Sequence, residues 1–203
     1  LKYAMSIDGR IGLKNGKSKW ITNADSRSLV HSIRADFDAI IIGGNTLRKD
    51  NPFLTTRGLK TPEPLRVVFT KTLDLPKKSN LWDCNKAKTI VIYDSSTANE
   101  SYLTRIPKWV EVERVSSDNP ELISKILARR GCNNVLWECG PKLATAAIRS
   151  NCIQEIISFI APKILGGQNS MNPFSDFEFE EMNEIIKLSY SQVSLIGNDI
   201  CIK

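Results

Sequence analysis

The run Asp38-Ala39-Ile40-Ile41-Ile42-Gly43 constrains this chain more than any other. It is short, continuous and apolar, with turn-formers at its end, the pattern of a strand buried on both faces. Signals around it alternate between strand and helix. Residues 2–7 read as a strand with Tyr3, Met5 and Ile7 on one face and Lys2, Ala4 and Ser6 on the other. A polar, Gly-bearing loop follows over 8–19. Thr22-Asn23-Ala24-Asp25 resembles a capping box and opens a helix to about residue 35, with Leu29, Val30, Ile33 and Phe37 as its apolar stripe.

Residues 45–49 suit a helical turn, and 51–64 form a long Pro-, Gly- and Thr-rich connector. Strands are expected at 65–70, 89–93, 110–115, 135–138 and 155–161. Asn119-Pro120 caps a helix over 121–130, with Gly131 just past its end. Gly140-Pro141 leads into another helix reaching about residue 150. Residues 166–184 read as loop, and 185–193 and 199–203 as two last strands joined at Gly197-Asn198. Early β/α alternation needs crossover helices between parallel neighbours, and the β-only tail implies an antiparallel edge. The expected fold is therefore α/β: one domain over 1–203, with a mixed, mostly parallel sheet of about eight strands and flanking helices.

Composition removes several functions. One histidine, His31, excludes a mononuclear metal site built on two or three His ligands, and no metal site is expected. Five scattered cysteines without a C-x-x-C disfavour a zinc ribbon, a thioredoxin motif and a disulfide framework, and fit a reducing cytoplasm. No apolar run approaches the ~18 residues of a membrane span. The chain opens on Leu1 rather than Met, as expected of a trimmed chain or a piece of a longer polypeptide. The net charge of +6 comes without a Lys/Arg block of five. It suits either an ordinary soluble surface or ligands carrying phosphate, rather than nucleic acid.

Gly16-Lys17-Ser18 fails as a P-loop because position 11 is Ile where the motif needs glycine. Glu138-Cys139-Gly140-Pro141 sits at a strand end, a Gly turn and a helix start. It is either an anion site with free N–H groups or an ordinary β–α turn. A glutamate at the carboxyl end of a buried strand can accept two N–H bonds from a base-like ring. Asp50, beyond Gly43-Gly44-Asn45-Thr46, is either a turn-former in Asp-Asn-Pro or a proton donor and acceptor. Arg34 and Arg57 are either solvated side chains or, with Ser18, a phosphate cradle. His31 reads as structural and receives no role.

Taken together, several segments resemble the reductase domain of the bifunctional riboflavin biosynthesis deaminase/reductase family. They are 2–11 (Lys-Tyr-Ala-Met-Ser-Ile-Asp-Gly-Arg-Ile), 18–22 (Ser-Lys-Trp-Ile-Thr), Arg34-Ala35, Gly44-Asn45-Thr46, 50–57 (Asp-Asn-Pro-Phe-Leu-Thr-Thr-Arg), 137–141 (Trp-Glu-Cys-Gly-Pro) and 160–167 (Ile-Ala-Pro-Lys-Ile-Leu-Gly-Gly). The resemblance runs from Lys2 to Lys203 and is weak over 72–132. It implies a dihydrofolate-reductase-like fold, a homodimer, and NADPH-dependent reduction of the ribose of 5-amino-6-(5-phosphoribosylamino)uracil to a ribityl chain. Implied cofactor contacts are Ala4, Trp20, Thr46, Asp50, and Gly140, Pro141, Lys142, Leu143, Ala144, Thr145 and Ala146. Implied substrate contacts are Ser18, Thr22, Arg34, Leu54, Arg57 and Glu138. The catalytic candidates are Asp50, Lys2 and Glu138.

Two departures stand out. Cys139 replaces the usual small residue before Gly140, and Thr70-Lys71 replaces an Asp-Ser-like pair. Lys71 is the candidate for the 2′-phosphate of NADPH. Nothing matches the H-x-E … P-C-x-x-C zinc site of the pathway's deaminase. That activity is expected from a domain elsewhere in the parent chain or from a separate enzyme. The rival readings are reduction of the 2,5-diaminopyrimidinone before deamination, a dihydrofolate or pteridine reductase, and a non-catalytic nucleotide-binding module.

Overall fold

The computed structural model describes residues 1–174 and 176–203. Ser175, inside the expected 166–184 loop, lies outside the described residues. The chain divides into two compact units, one formed by residues 1–29 and 141–203, the other by 30–140.

The 30–140 unit holds β2 (Ala39–Gly43), α2 (Gly44–Asp50), β3 (Leu65–Thr70), β4 (Thr89–Asp94), β5 (Glu111–Val115), α3 (Pro120–Arg129) and β6 (Val135–Trp137). Its five strands are all parallel, in the order β5-β4-β3-β2-β6. The Ile40-Ile41-Ile42 run has no exposed surface, nor do Val67, Val68 and Ile90 to Ile92 on the neighbouring strands. Ile123 and Leu127 of α3 are equally enclosed. Helix α3 starts as expected: Glu121 N–H donates to Asn119 Oδ1 at 3.0 Å, with Pro120 at the first position.

This unit also contains a feature that the sequence reading does not single out. Arg66, inside apolar β3, is fully buried. It donates to five carbonyls, those of Phe53, Asn80, Leu81, Asp83 and Ala87, at 2.5–3.4 Å. Burial pushes its pKa below the usual arginine value. It ties both the post-α2 connector and the 80–87 segment to the central sheet. Asn51 adds a second tie, accepting from Ser79 Oγ and Asn80 N–H through its Oδ1 at 2.9 and 2.8 Å.

The other unit holds β1 (Lys2–Ser6), α4 (Pro141–Arg149), β7 (Ile157–Ala161), β8 (Val193–Ile196) and β9 (Asp199–Ile202). Helix α1 (Ala24–Ala35) begins here and continues into the 30–140 unit. The order is β1-β7-β9-β8, with β1 and β7 parallel and the remaining pairings antiparallel. Asp8 closes the turn after β1, accepting from Ser6 Oγ at 2.5 Å and from the N–H groups of Leu165 and Gly166. Those bonds, the Ser6 hydroxyl first, hold its pKa down at about 2. The β8–β9 turn needs Gly197: its φ is +59°, and a Cβ would lie 2.8 Å from Asn23 Nδ2.

The α/β class and the antiparallel edge stand, and three details are corrected. The strands number nine among the described residues, in two sheets rather than one of about eight. The first of the final strands begins at Val193, not 185, because the ladder partners of β9 are Val193 to Ile196. Residues 185–192 are exposed and irregular, although Ile185, Leu188 and Tyr190 gave that stretch a strand-like look. Helix α1 is capped by Asn23 rather than Thr22, with Ser26 N–H donating to Asn23 Oδ1 at 2.9 Å. Buried Asp199 then accepts from Asn23 N–H and Ser26 Oγ, both at 2.7 Å.

Candidate active site

Topology of the 30–140 unit selects one place in the sheet. From β2 the chain runs outward through β3, β4 and β5, then returns to place β6 on the opposite side of β2. Ligands of open parallel sheets bind beyond the strand carboxyl ends at such a reversal. Two segments leave the sheet there. Strand β2 ends at Gly43, and Gly44 opens α2, which bears Thr46 and Asp50. Beyond β6 come Glu138, Cys139 and Gly140, and Glu138 N–H donates to Ile41 O at 2.9 Å. Gly44 allows the close approach: a Cβ there would lie 3.1 Å from Thr70 Oγ1 and 3.2 Å from Leu75 Cδ2.

The strongest polar contact here joins residues 104 positions apart. Arg34, near the end of α1, is bidentate to Glu138, with Nε 2.6 Å from Oε1 and Nη2 3.0 Å from Oε2. Their side chains are only 11% and 10% exposed. Burial disfavours the Arg34 charge, but the Glu138 carboxylate outweighs it and holds the guanidinium above its ordinary pKa. Arg34 Nη1 also donates to Thr55 O at 3.2 Å, and His31 Nδ1 lies 2.8 Å from the same carbonyl. Sequence reading placed Arg34 on phosphate and Glu138 on a base ring. The structure brings these two groups onto each other.

The 51–64 connector is held rather than loose. Thr56 N–H donates to Glu63 Oε2 at 2.7 Å, and Lys60 N–H to Thr56 Oγ1 at 3.1 Å. Leu54 is buried, with φ of 51°, and Arg57 is exposed, with φ of 57°. Non-glycine residues in this conformation store strain and cluster at functional sites. Asp50 is half-buried at the end of α2, and Asn51 after it has φ of 40°. Lys71 is exposed and pairs with Asp118 at 2.6 Å, a bond that raises its pKa. Burial pushes the Cys139 thiol up to about 12, so it stays protonated at neutral pH.

The other unit carries the remaining candidates. Lys2 and Ala4 lie on edge strand β1, and Lys2 Nζ stands 5.8 Å from the Phe159 ring centroid. Ser6, expected on the same strand face as Lys2 and Ala4, is fully buried and bonded to Asp8. Ser18 is half-buried, and Thr22 is buried. Gly16-Lys17-Ser18 lies in a loop with no helix before Ala24, which confirms that it is no P-loop. Trp20 is 64% exposed, with the Arg27 guanidinium 4.1 Å over its ring. In α4, Lys142 is exposed, and Leu143 and Ala146 are half-buried. Ala144 and Thr145 are buried.

The residues present fit a dinucleotide. Nothing lies within 4 Å of a Cβ built on Gly140, so the backbone there is open to close approach. After Pro141 at the start of α4, the N–H groups of Lys142, Leu143 and Ala144 have no intrahelical acceptor, which suits phosphate oxygens.

Sequence reasoning missed His31 and Thr55. His31 stands three residues before Arg34, on the same helix face, and that spacing was a usable signal. Thr55 acts through its carbonyl, and no side-chain pattern could reveal it.

Comparison with known proteins adds four findings. Residues 1–202 match the family model of the RibD C-terminal domain. The chain is 40% identical over 200 residues to riboflavin biosynthesis protein RibD of Synechocystis sp., covering 98% of this chain and 54% of that protein. It is 38% identical over 202 residues to the chloroplastic riboflavin biosynthesis protein PYRR of Arabidopsis thaliana, of which it covers 34%. Among solved structures, the diaminohydroxyphosphoribosylaminopyrimidine deaminase/5-amino-6-(5-phosphoribosylamino)uracil reductase of Thermotoga maritima superposes with a TM-score of 0.83. That match has 28% identity and covers 99% of this chain and 54% of that one.

Proposed function

Because the chain belongs to the RibD C-terminal domain family, we propose that it is the NADPH-dependent reductase that converts the ribose of 5-amino-6-(5-phosphoribosylamino)uracil into the ribitylamino chain. The observation that carries this reading is the family match over residues 1–202. Residues 1–203 act in it as one reductase domain. The chain spans 54% of the RibD relative's length and 34% of the PYRR relative's. Deamination therefore falls to another domain of the parent protein or to a separate enzyme. Exposed Leu188, Tyr190, Val193 and Leu195 supply an apolar surface that suits a homodimer. No helix among the described residues is long and apolar enough to cross a membrane. The unbridged cysteines suit a reducing compartment, the cytoplasm in this reading.

The chemistry needs an opened sugar. The ring-closed glycosylamine opens to an imine as its nitrogen gives up a proton and the ring oxygen takes one, and hydride at C1′ with a proton at the nitrogen then gives the amine. NADPH supplies that hydride when bound. Asp50 handles the proton, and Lys2 polarises or protonates an oxygen or nitrogen of the opening sugar. Ser18, Arg34 and Arg57 are the candidates for the 5-phosphate. Thr22, Leu54 and Glu138 position the pyrimidine and ribose. Ala4, Trp20, Thr46 and the segment from Gly140 to Ala146 hold the cofactor, the buried members of that segment through their backbone.

The test is NADPH oxidation with the phosphoribosylaminouracil, with its 2,5-diaminopyrimidinone counterpart, with dihydrofolate and with no acceptor. Turnover on the uracil form is expected. Turnover only on dihydrofolate, or on nothing, rejects the assignment, and preference for the diaminopyrimidinone reverses the order of the two steps.

Lys71 yields a separate prediction. A 2′-phosphate would displace Asp118 from its exposed ion pair with Lys71. Lys71→Ala should therefore reduce the preference for NADPH over NADH by about tenfold, the equivalent of one charge-assisted contact. An unchanged ratio of the two dissociation constants would remove Lys71 from cofactor selection.

A further inference from the structure

We propose that His31 is a positioning residue: held as its Nδ1–H tautomer, it clamps the Thr55 carbonyl and so fixes the 54–57 turn and the direction of Arg34. The inference rests on the functional reading above, in which Leu54, Arg57 and Arg34 meet the substrate.

The tautomer follows from the acceptor. A carbonyl oxygen can only accept, and His31 Nδ1 lies 2.8 Å from Thr55 O, so Nδ1 carries the proton. Arg34 Nη1 is 3.5 Å from the same nitrogen, but a guanidinium has only donors, and its own bond goes to Thr55 O at 3.2 Å. Two donors one helical turn apart thus converge on one carbonyl and use both its lone pairs. Thr55 sits directly after Leu54 and two residues before Arg57, both at positive φ. Such conformations persist only where the surroundings over-determine them. Glu63 holds the turn's N–H groups at Thr56 and Gly58, while His31 and Arg34 hold its carbonyl. The Arg34 guanidinium is likewise set by two fixed points, Glu138 and Thr55. Without His31, Arg34 would be the one donor left to that carbonyl among the described residues.

The charges around the ring are those of Arg34 on its own helix, Arg57 on the turn and Glu138 beyond β6. Burial lowers the His31 pKa below its ordinary 6.5, and both arginines push the same way, against the Thr55 bond and Glu138. The ring is therefore neutral at neutral pH, as the tautomer argument requires.

His31 is the chain's one histidine, so its imidazole gives a single unambiguous nitrogen-15 signature in the intact protein. The expected spectrum is the Nδ1–H tautomer. An Nε2–H spectrum overturns the clamp whether or not the protein reduces anything. For His31→Ala, the KM for the phosphoribosylaminopyrimidine should rise by about tenfold while kcat changes much less, the mark of lost substrate positioning. His31→Asn, whose amide N–H sits near the Nδ1 position, should restore most of that KM and melt like the parent. An unchanged KM in His31→Ala, or Asn no better than Ala, overturns the proposal. A parent protein inactive on both pyrimidines defeats the functional reading instead, and the tautomer then decides the clamp alone.

Discussion

Asp50→Asn is expected to fold like the parent chain and to lose turnover by about 10²- to 10⁴-fold, the usual worth of a positioned acid or base. The expectation has a geometric root. Asp50 ends α2, which leaves the sheet beside β6 at the chain reversal. The residue after it is pinned: Asn51 accepts from Ser79 and Asn80, and its own carbonyl accepts from Asn80 Nδ2 at 2.7 Å. The carboxylate is thus carried by a short helix with a fixed exit. Asparagine keeps the volume and the backbone but can neither deliver nor take the proton that opens the sugar. The measurement is single-turnover NADPH oxidation alongside thermal melting and NADPH binding. A well-folded variant with parental turnover would remove Asp50 from the mechanism. Loss of NADPH binding alone would make it a cofactor ligand.

How much of this was legible in advance divides along a physical line. The boundaries of β3 and α3 were readable because local signals govern them: a continuous apolar run, a Pro at the first helical position, a Gly past the last. Features that depend on a distant partner were not. Residues 185–192 carry the composition of a strand, yet β9 offers its ladder to Val193–Ile196 instead. Arg66 sits in Leu-Arg-Val-Val-Phe-Thr, where alternation would put it on a polar face. Only the carbonyls of 53 and 80–87, brought in by the connectors, make its burial tolerable. The site divides the same way. The chemistry of Arg34 and Glu138 could be named residue by residue, but not their union, because no local pattern announces a partner 104 residues away. His31 reads as a structural histidine from the sequence, because its spacing to Arg34 does not announce their shared partner, the Thr55 carbonyl.

The Arg34–Glu138 pair gives the largest expected effect on stability and separates its two roles. Glu138→Ala strands a mostly buried guanidinium without its counter-charge and should cost about 3–5 kcal/mol, with activity lost. Glu138→Gln keeps the volume and one acceptor oxygen, so it should cost less. The double variant Arg34→Met/Glu138→Leu removes both charges together. An apolar pair of similar volume often matches or exceeds a buried ion pair in stability, so the double variant should melt well above Glu138→Ala. It should nevertheless remain inactive, because neither a phosphate donor nor a pyrimidine acceptor is left. Chemical denaturation of the parent and the three variants, with NADPH oxidation measured on each, makes the comparison. Recovery of stability without recovery of turnover would identify the pair as retained for substrate rather than for the fold. A double variant as unstable as Glu138→Ala would instead mean that the pair's hydrogen bonds, including the one to Thr55, are what hold α1 against the 51–64 connector.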